Sequence, residues 1–318
     1  MKYKLILLLA VIFTASCDQA PDVPSEENWY DVMPRASWAE YEQIDTGQDW
    51  FEVYKLTDNT YAIYEPNQWQ EAISYLLLGT ERAMLVDTLQ GVGDLKAVTD
   101  KLTQLPIIVM NTHSHYDHVS SNYQYDTVYG LNMPYTANNA KGHTHDEIGG
   151  SMTPETIWKN LPDTFSFEFY ESKAYEIDKF VADGEIIDLG GREIEVIYIP
   201  GHSPDSVILV DKQNRMMMTG DTFYPAPIYL YSDTASFQDF FMSAQIMFSN
   251  RNGIDFLLPG HNETMQSVDY LNELRAASLA IINPTTEFTQ ATGRRSYDFG
   301  AFSIIVKDPL DFGLRRGE

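Results

Sequence analysis

The sequence has little cysteine and few basic residues. Cys17 is the only cysteine among the 318 residues, so the chain can form no internal disulfide, and residues 18–318 offer no cysteine as a metal ligand. The 21 lysines and arginines are outnumbered by 46 aspartates and glutamates, which gives a formal charge of −25. Because nucleic-acid binding requires basic side chains that neutralise phosphates, this acidity argues against a nucleic-acid partner.

Long apolar runs are also scarce, and the longest one lies near the amino terminus. Two lysines precede the apolar residues 5–13, which are too few to span a bilayer and are typical of a secretory signal peptide over residues 1–16. The small residues before Cys17 resemble the bacterial lipobox, although Thr14 departs from its usual aliphatic residue. We therefore expect an extracytoplasmic protein that contacts a bacterial membrane only through a lipid on Cys17; the alternative is an ordinary signal peptide cut nearby.

The mature chain divides into a tether and one domain. Residues 17–48 contain several prolines and acidic groups without a sustained apolar period, which predicts a lipidated tether with a short ordered piece around residues 29–38. Residues 49–318 are long enough for a single α/β domain with a large core.

Four potential metal ligands lie within six residues in the middle of the chain. His113, His115, Asp117 and His118 directly follow the apolar residues 107–110. A short apolar run that ends abruptly in polar residues predicts a buried strand that opens into a loop. Histidine nitrogens and carboxylates are the ligands that zinc and similar divalent metals favour, so this loop is a candidate metal site.

Three later segments repeat this pattern. His202 and His261 each follow a short apolar run and a Pro-Gly pair, and Asp221 follows the apolar residues 216–218 and a glycine. Each side chain is therefore expected at the end of a strand. Four such groups in one chain predict a shared metal centre.

This set resembles the metallo-β-lactamase superfamily of hydrolases. The His-x-His-x-Asp-His motif is complete at residues 113–118, and the later motifs follow in the family's order over about residues 50–285. The resemblance implies an α/β fold, a four-layer αβ/βα sandwich with the metal site at one edge of two sheets. It also implies two divalent metal ions, with zinc as the favoured metal. The implied ligands are His113, His115 and His202 for the first ion, Asp117, His118 and His261 for the second, and Asp221 bridging both.

Such a centre predicts hydrolysis without a nucleophilic side chain. Two ions about 3.5 to 4 Å apart lower the pKa of a shared water, so a bridging hydroxide would attack an ester-like, lactone, thioester, amide or phosphoester bond of a small molecule. Asp117 is suited to orient the hydroxide or pass on its proton. Tyr224 is a candidate donor to a developing oxyanion, as a tyrosine is in the lactonases that the chain resembles.

Asp221 helps to choose among the branches of the family. True β-lactamases normally have cysteine or serine at this position, whereas glyoxalase II-like and lactonase-like members have aspartate, so the resemblance favours the latter branch. Persulfide dioxygenases keep similar motifs around one iron ion and remain the alternative, together with a true β-lactamase. A binding module without activity is disfavoured because the ligand set is complete.

Several residues outside the motifs are candidates for secondary roles. Asp87 ends a predicted strand and is either a support for the metal loop or a turn residue. The aromatic segment 165–175 either walls the substrate pocket or packs onto the domain. His143 and His145 are expected in a polar loop. The candidate pocket walls are Trp69, Tyr116, Phe223, Tyr224, Tyr229 and Tyr231.

Periodicity and turn residues predict the remaining elements. Hairpins are expected over residues 51–64, 74–86, 186–199 and 206–218, and helices over 94–104, 236–249 and 267–282. A helix start is expected at 119–123, a short helix at 154–160, and an edge strand or lid at 301–306.

Overall fold

Eight strands form the first sheet and follow one another in chain order. The computed structural model describes residues 29–159 and 161–310. The first five strands of this sheet are paired antiparallel and the last four are parallel. The strands are Glu42–Gln43, Glu52–Thr57, Thr60–Tyr64, Ile73–Leu78, Ala83–Val86, Ile107–Met110, Val128–Leu131 and Lys179–Val181.

The second and third sheets use the later part of the chain. The second sheet has, in spatial order, the strands Gln266–Ser267, Phe256–Pro259, Met216–Gly220, Val207–Asp211, Glu193–Tyr198 and Ile186–Asp188. The third sheet has the order Pro227–Leu230, Ser303–Lys307, Arg294–Asp298 and Thr289–Ala291.

Alternation along the strands places the first two sheets face to face. Met84 and Val86 of the first sheet share a core with Met216 and Met218 of the second. Because successive side chains in a strand point to opposite faces, Met217 instead packs in the core on the far side of its sheet. Strands that are buried on both faces are continuous apolar runs, which is why these segments show no polar alternation.

Helices cover the two outer faces. Leu95–Leu102 packs its buried side chains against the outer face of the first sheet, and Asp94 caps this helix by accepting a hydrogen bond from the Ala97 backbone at 2.9 Å. Phe237–Ser249 and Tyr270–Ile282 pack on the outer face of the second sheet, together with the third sheet. The other α-helices of the described chain are Tyr116–Val119, Pro134–Asn139 and His145–Ile148. The predicted four-layer αβ/βα sandwich is thereby confirmed.

Three local predictions differ from the structure. The helix at the ligand loop is Tyr116–Val119, earlier than the expected start at 119–123. The loop itself forms this turn, which contains the ligand residues Asp117 and His118. In the described part of the segment expected to be helical, residues 154–159, the 3₁₀ turn Pro154–Thr156 forms instead of an α-helix, since the next residues pair with the backbone of residues 67–69. The strand expected at an edge, Ser303–Lys307, lies inside the third sheet.

The described part of the expected tether packs onto the domain. Trp38 is buried, and its ring stacks on Tyr64 with ring centroids 4.4 Å apart. The signal peptide over residues 1–16 and the lipidated Cys17 lie outside the described residues and stay predictions. Across the residues that the structure covers, no helix has the length and apolar character needed to cross a membrane.

A buried arginine joins the two central sheets. Arg192 lies in the second sheet's first turn and is 3% exposed, and its Nε donates to Asp211 Oδ2 at 2.7 Å. Its remaining nitrogens donate to the Asn59 carbonyl and to Thr60 Oγ1, both in the first hairpin of the first sheet. The ion pair lies within the second sheet, and the hydrogen bonds from Arg192 to Asn59 and Thr60 fix this sheet relative to the first.

Replacing this arginine should destabilise the fold. We expect Arg192→Leu to lower the free energy of unfolding by about 3–5 kcal/mol, because it leaves the Asp211 carboxylate buried without its partner. Urea unfolding followed by circular dichroism measures this loss. The matched control is Arg82→Leu, since the Arg82 side chain is 43% exposed; the double variant R192L/D211L should recover part of the loss. Equal stability of the two single variants would contradict the assignment.

Candidate metal centre

Four loops meet at one edge of the two central sheets. The strand Ile107–Met110 of the first sheet ends in the loop that carries the histidine-rich motif. In the second sheet, Glu193–Tyr198, Met216–Gly220 and Phe256–Pro259 run in the same direction and lead to the other three ligand positions. The fold thereby brings together the seven predicted metal ligands, the first and last of which, His113 and His261, are 148 residues apart in the sequence.

Three histidines face one another at the first half of the centre. His115 Nδ1 lies 3.0 Å from His113 Nε2 and 3.0 Å from His202 Nε2. The carboxylate of Asp221 approaches this group, with Oδ2 3.5 Å from His202 Nε2. These three histidines will be called the first half-site.

The second half-site consists of Asp117, His118 and His261 around the other oxygen of Asp221. Oδ1 of Asp221 lies 3.1 Å from His118 Nε2 and 3.0 Å from His261 Nε2. Asp117 Oδ2 lies 3.8 Å and 3.9 Å from the same two nitrogens. Asp221 therefore faces both half-sites. The loops approach closely at Gly260, where a Cβ would lie 3.0 Å from both Asp221 Oδ1 and His118 Cε1 and would crowd these two ligands.

The donor set fits divalent metal ions. Ligands about 2.0–2.1 Å from a tetrahedral zinc ion lie about 3.3 Å apart, which is close to the spacing within each half-site. His118 Nε2 and Asp221 Oδ1 are buried, and neither has a hydrogen-bond partner of good geometry. Since buried polar atoms are almost always satisfied, these two atoms are suited to ligate a cation.

Burial and charge set different protonation states at the two half-sites. Burial lowers the pKa of His115 and His202 to about 4, so both are neutral at pH 7 and present lone pairs to a metal. Burial also acts to lower the pKa of His118 and His261, but the surrounding carboxylates, Asp221 first and Asp117 with it, together outweigh burial and raise both pKa values. An ion at the second half-site must therefore displace protons.

Hydrogen bonds at the opposite ring nitrogens orient the histidines. His118 Nδ1 lies 2.9 Å from Asp87 Oδ2, and the same carboxylate accepts hydrogen bonds from the backbone and side chain of Thr112. His202 Nδ1 donates to the Tyr229 carbonyl at 2.9 Å. Of the two roles considered for Asp87, its contacts agree with support of the metal loop, and such partners fix the tautomer of a metal-binding imidazole.

Sequence reasoning missed two residues of this outer layer. The Gln70 carbonyl accepts a hydrogen bond from His261 Nδ1 at 2.7 Å, and Gln70 Nε2 donates to Asp117 Oδ2 at 2.6 Å. Asp205 accepts hydrogen bonds from Ser114 and Ser203 and so ties the first ligand loop to the His202 loop. Asp205 had a signal in the sequence, an acid three residues after His202, whereas a backbone carbonyl has none.

A cavity of about 210 Å³ opens beside Asp221 and His261. Of the candidate walls, Trp69, Tyr224 and Tyr229 line this cavity. The prediction for Phe223 was wrong, because its side chain is fully buried in the core against Phe302. Tyr231 is absent from the cavity wall and packs against Tyr229 and Arg294, and Tyr116 donates to Gln70 Oε1 at 3.0 Å.

Tyr224 lies next to the second half-site but is engaged elsewhere. Its ring contacts the ring of His261, with centroids 5.1 Å apart. Its hydroxyl donates to the Pro227 carbonyl at 2.6 Å. A phenol has one proton to donate, so Tyr224 can serve an oxyanion only by giving up this bond.

Most of the aromatic segment 165–175 packs on the outer core of the first sheet, whereas Tyr175 lines a small cavity next to His113. Tyr170 is buried in the outer core of the first sheet, which agrees with packing onto the domain. Phe165 and Phe169 line a separate cavity of about 600 Å³ whose wall contains no metal ligand. His143 is half-buried and pairs with the backbone of Ser172, and His145 is exposed at the start of a helix. Among the described residues, neither histidine joins a group of potential ligands.

Comparison with known proteins agrees with this geometry. The model of the family described as "Metallo-beta-lactamase superfamily" matches residues 71–281. The chain belongs to this superfamily. It is thus a hydrolase of a superfamily whose members bind divalent metals, and the fold and the enzyme class expected from the sequence are confirmed.

Individual relatives of this superfamily hydrolase are distant. It is 25% identical over 232 residues to the acyl-coenzyme A thioesterase MBLAC2 of Bos taurus, covering 68% of this chain and 82% of the relative. It is 25% identical over 150 residues to the hydroxyacylglutathione hydrolase GloC of Haemophilus influenzae, covering 43% of this chain and 60% of that one. The solved DIM-1 metallo-beta-lactamase has a TM-score of 0.53 and 14% identity, over 73% of this chain and 97% of the other, and shows the shared fold.

Removing the charge of Asp87 should weaken metal binding. In Asp87→Asn a single oxygen remains, which cannot replace both carboxylate oxygens, so the amide NH₂ must face either the Thr112 backbone N–H or His118 Nδ1, and the support of the His118 ring is weakened. We expect metal affinity at the second half-site to fall about 10- to 100-fold. Competition with a chromophoric chelator measures the affinity. An unchanged affinity would show that Asp87 is only a turn residue.

The two half-sites should release metal at different pH. As the pH falls from 7 to 5, protons compete for His118 and His261, whose pKa values are raised, whereas His115 and His202 stay neutral until the pH approaches 4. Dialysis at stepped pH followed by metal analysis should show one ion leaving first, with the circular dichroism spectrum unchanged. Simultaneous loss of both ions in this range would contradict the asymmetry.

Proposed function

We propose that this protein hydrolyses thioesters of small molecules with the help of two divalent metal ions, with zinc as the favoured metal. His113, His115 and His202 would hold one ion, Asp117, His118 and His261 the other, and Asp221 would bridge them. The observation that carries the proposal is the position of the Asp221 carboxylate between the two histidine groups, with Oδ1 facing His118 and His261 and Oδ2 within 3.5 Å of both His202 and His261.

Two features support the thioester among the hydrolysable bonds. The similar proteins include an acyl-coenzyme A thioesterase, with 82% of its length matched, and hydroxyacylglutathione hydrolases, both named for thioester substrates. The aspartate at position 221 is typical of the glyoxalase II-like and lactonase-like members rather than of the true β-lactamases, so it disfavours a β-lactam and leaves a lactone as the main competing substrate. Lactones, phosphodiesters and β-lactams are therefore the comparison substrates.

The residues around the ions would carry the remaining steps. When bound, the ions would supply a water of lowered pKa and an electrophile for the substrate carbonyl oxygen. Asp117 is held in place by the hydrogen bond from Gln70 Nε2, and its carboxylate is suited to accept a proton from the attacking water. The same carboxylate can return that proton to the thiolate that leaves, which yields a carboxylic acid and a thiol.

The cavity would hold the acyl group or the thiol portion next to the reacting carbonyl. Trp69 and Tyr229 offer apolar surface there, and the volume of about 210 Å³ suits a small substituent better than a macromolecule. Tyr224 would contribute mainly as a wall, because its hydroxyl already donates to Pro227.

Thiol release gives a direct test of the reaction. Residues 18–318 contain no cysteine, so the thiol released from a thioester can be titrated without background from the protein. We expect about two zinc ions per chain and a kcat/KM for acyl-coenzyme A or acylglutathione thioesters at least about tenfold above that for lactones, phosphodiesters and β-lactams. Chelation should abolish turnover, and zinc should restore it.

Other outcomes would replace the proposal. Fewer than two ions per chain would contradict the binuclear site. A single iron ion with oxygen consumption on persulfides and no thioester turnover would move the protein to the dioxygenase alternative, since zinc has no redox chemistry.

A further inference from the structure

A segment that precedes the family-matched residues 71–281 contacts the loops that support the second half-site. Residues 35–38 will be called the amino-terminal clamp. We propose that Arg35 in this clamp is a positioning residue that sets the affinity of the second half-site for its metal ion. The inference rests on the proposed two-metal site and assigns to it a determinant outside the family domain.

The clamp begins with a nearly buried ion pair. Arg35 Nε and Nη2 donate to the two oxygens of Glu71 at 2.6 Å and 2.7 Å, so the contact is bidentate. The Arg35 side chain is 20% exposed and that of Glu71 is 3% exposed. Tyr64 and Asn262 also donate hydrogen bonds to this carboxylate, but both donors are neutral, so loss of Arg35 leaves a buried charge without its cation and disturbs the contacts of Glu71.

Glu71 is continuous with the residue that touches two ligands of the second half-site. The neighbouring Gln70 accepts a hydrogen bond from His261 Nδ1 through its carbonyl and donates to Asp117 Oδ2 through its side chain. A shift of Glu71 therefore changes the orientation of both His261 and Asp117. The path from Arg35 to the ligands has only two residues in it.

A second path runs through the residue after His261. Asn262 donates its backbone N–H to the Glu71 carbonyl at 3.0 Å and its side-chain amide to Glu71 Oε1 at 3.0 Å. Trp38 of the clamp donates its indole N–H to the Asn262 carbonyl, also at 3.0 Å. The clamp thus holds both loops that meet at His261.

The backbone at this junction needs external support. Glu71 and Asn262 have φ values of +50° and +67°, in the left-handed region that residues other than glycine rarely adopt. Such conformations persist only where the surrounding contacts fix them. The contacts of Arg35 and Trp38 are among those that do so here.

The first half-site has separate supports. His202 Nδ1 donates to the Tyr229 carbonyl, and Thr112 lies 3.2 Å from His113 Nδ1. Neither partner belongs to the clamp or to the residues that it contacts. The clamp should therefore affect one ion and leave the other unchanged, which general destabilisation would not do.

Metal affinity measured ion by ion tests this inference. In the mature protein, Arg35→Met should lower the affinity for the second ion about 10- to 100-fold and leave the first ion at wild-type affinity. Arg35→Lys should give an intermediate loss, because lysine keeps the charge without the bidentate geometry. Chelator competition gives the two affinities, and the visible absorption of bound Co²⁺ reports the geometry of each half-site. Arg82→Met, at an exposed arginine, is the matched control.

Three other results would overturn the inference. Two ions at wild-type affinity in Arg35→Met would overturn the inference while leaving the proposed function intact. Equal weakening of both ions, together with a lower melting temperature, would also overturn it and make Arg35 a general structural residue. Fewer than two ions in the wild-type protein would overturn the proposed function, and the inference would fall with it.

Discussion

The structure depends on one buried carboxylate that faces two groups of histidines. Asp221 is 6% exposed and lies within 3.5 Å of ring nitrogens from three loops. A charge at this depth is stable only beside compensating charges or a metal, so the four loops must converge on it. The parallel directions of the strands in the second sheet satisfy this requirement, because they bring their carboxyl ends to one edge.

A second layer of hydrogen bonds makes the arrangement specific. Asp87 and two backbone carbonyls hold the outer nitrogens of three histidines and so decide which nitrogen faces the metal. The layer is uneven. The hydrogen bonds that support the first half-site come from within the family domain. The second half-site is also supported by Gln70 and, through Glu71, by a segment that precedes that domain.

Different residues account for the hydrolytic fold and for the choice of substrate. Membership of the superfamily accounts for the fold and for hydrolysis, and about 25% identity to thioesterases leaves the substrate to residues outside the motifs. Those residues form the cavity beside Asp221, whose walls come from the loop around Trp69 and from the strand that contains Tyr229. Both segments are set by long-range packing, so substrate preference can change among relatives while the metal ligands stay the same.

The amino-acid sequence placed the ligand side chains directly after apolar runs of strand length, because both are short, local patterns, and its resemblance to the superfamily implied the layered fold and the set of seven ligands. Tertiary structure decided the rest. Only folding showed that residues 303–307 lie inside a third sheet, that Phe223 is core, and that Arg35 reaches Glu71. The physical reason is that these contacts join distant residues, and the carbonyls of Gln70 and Tyr229 that orient His261 and His202 belong to the backbone, which has no sequence signal.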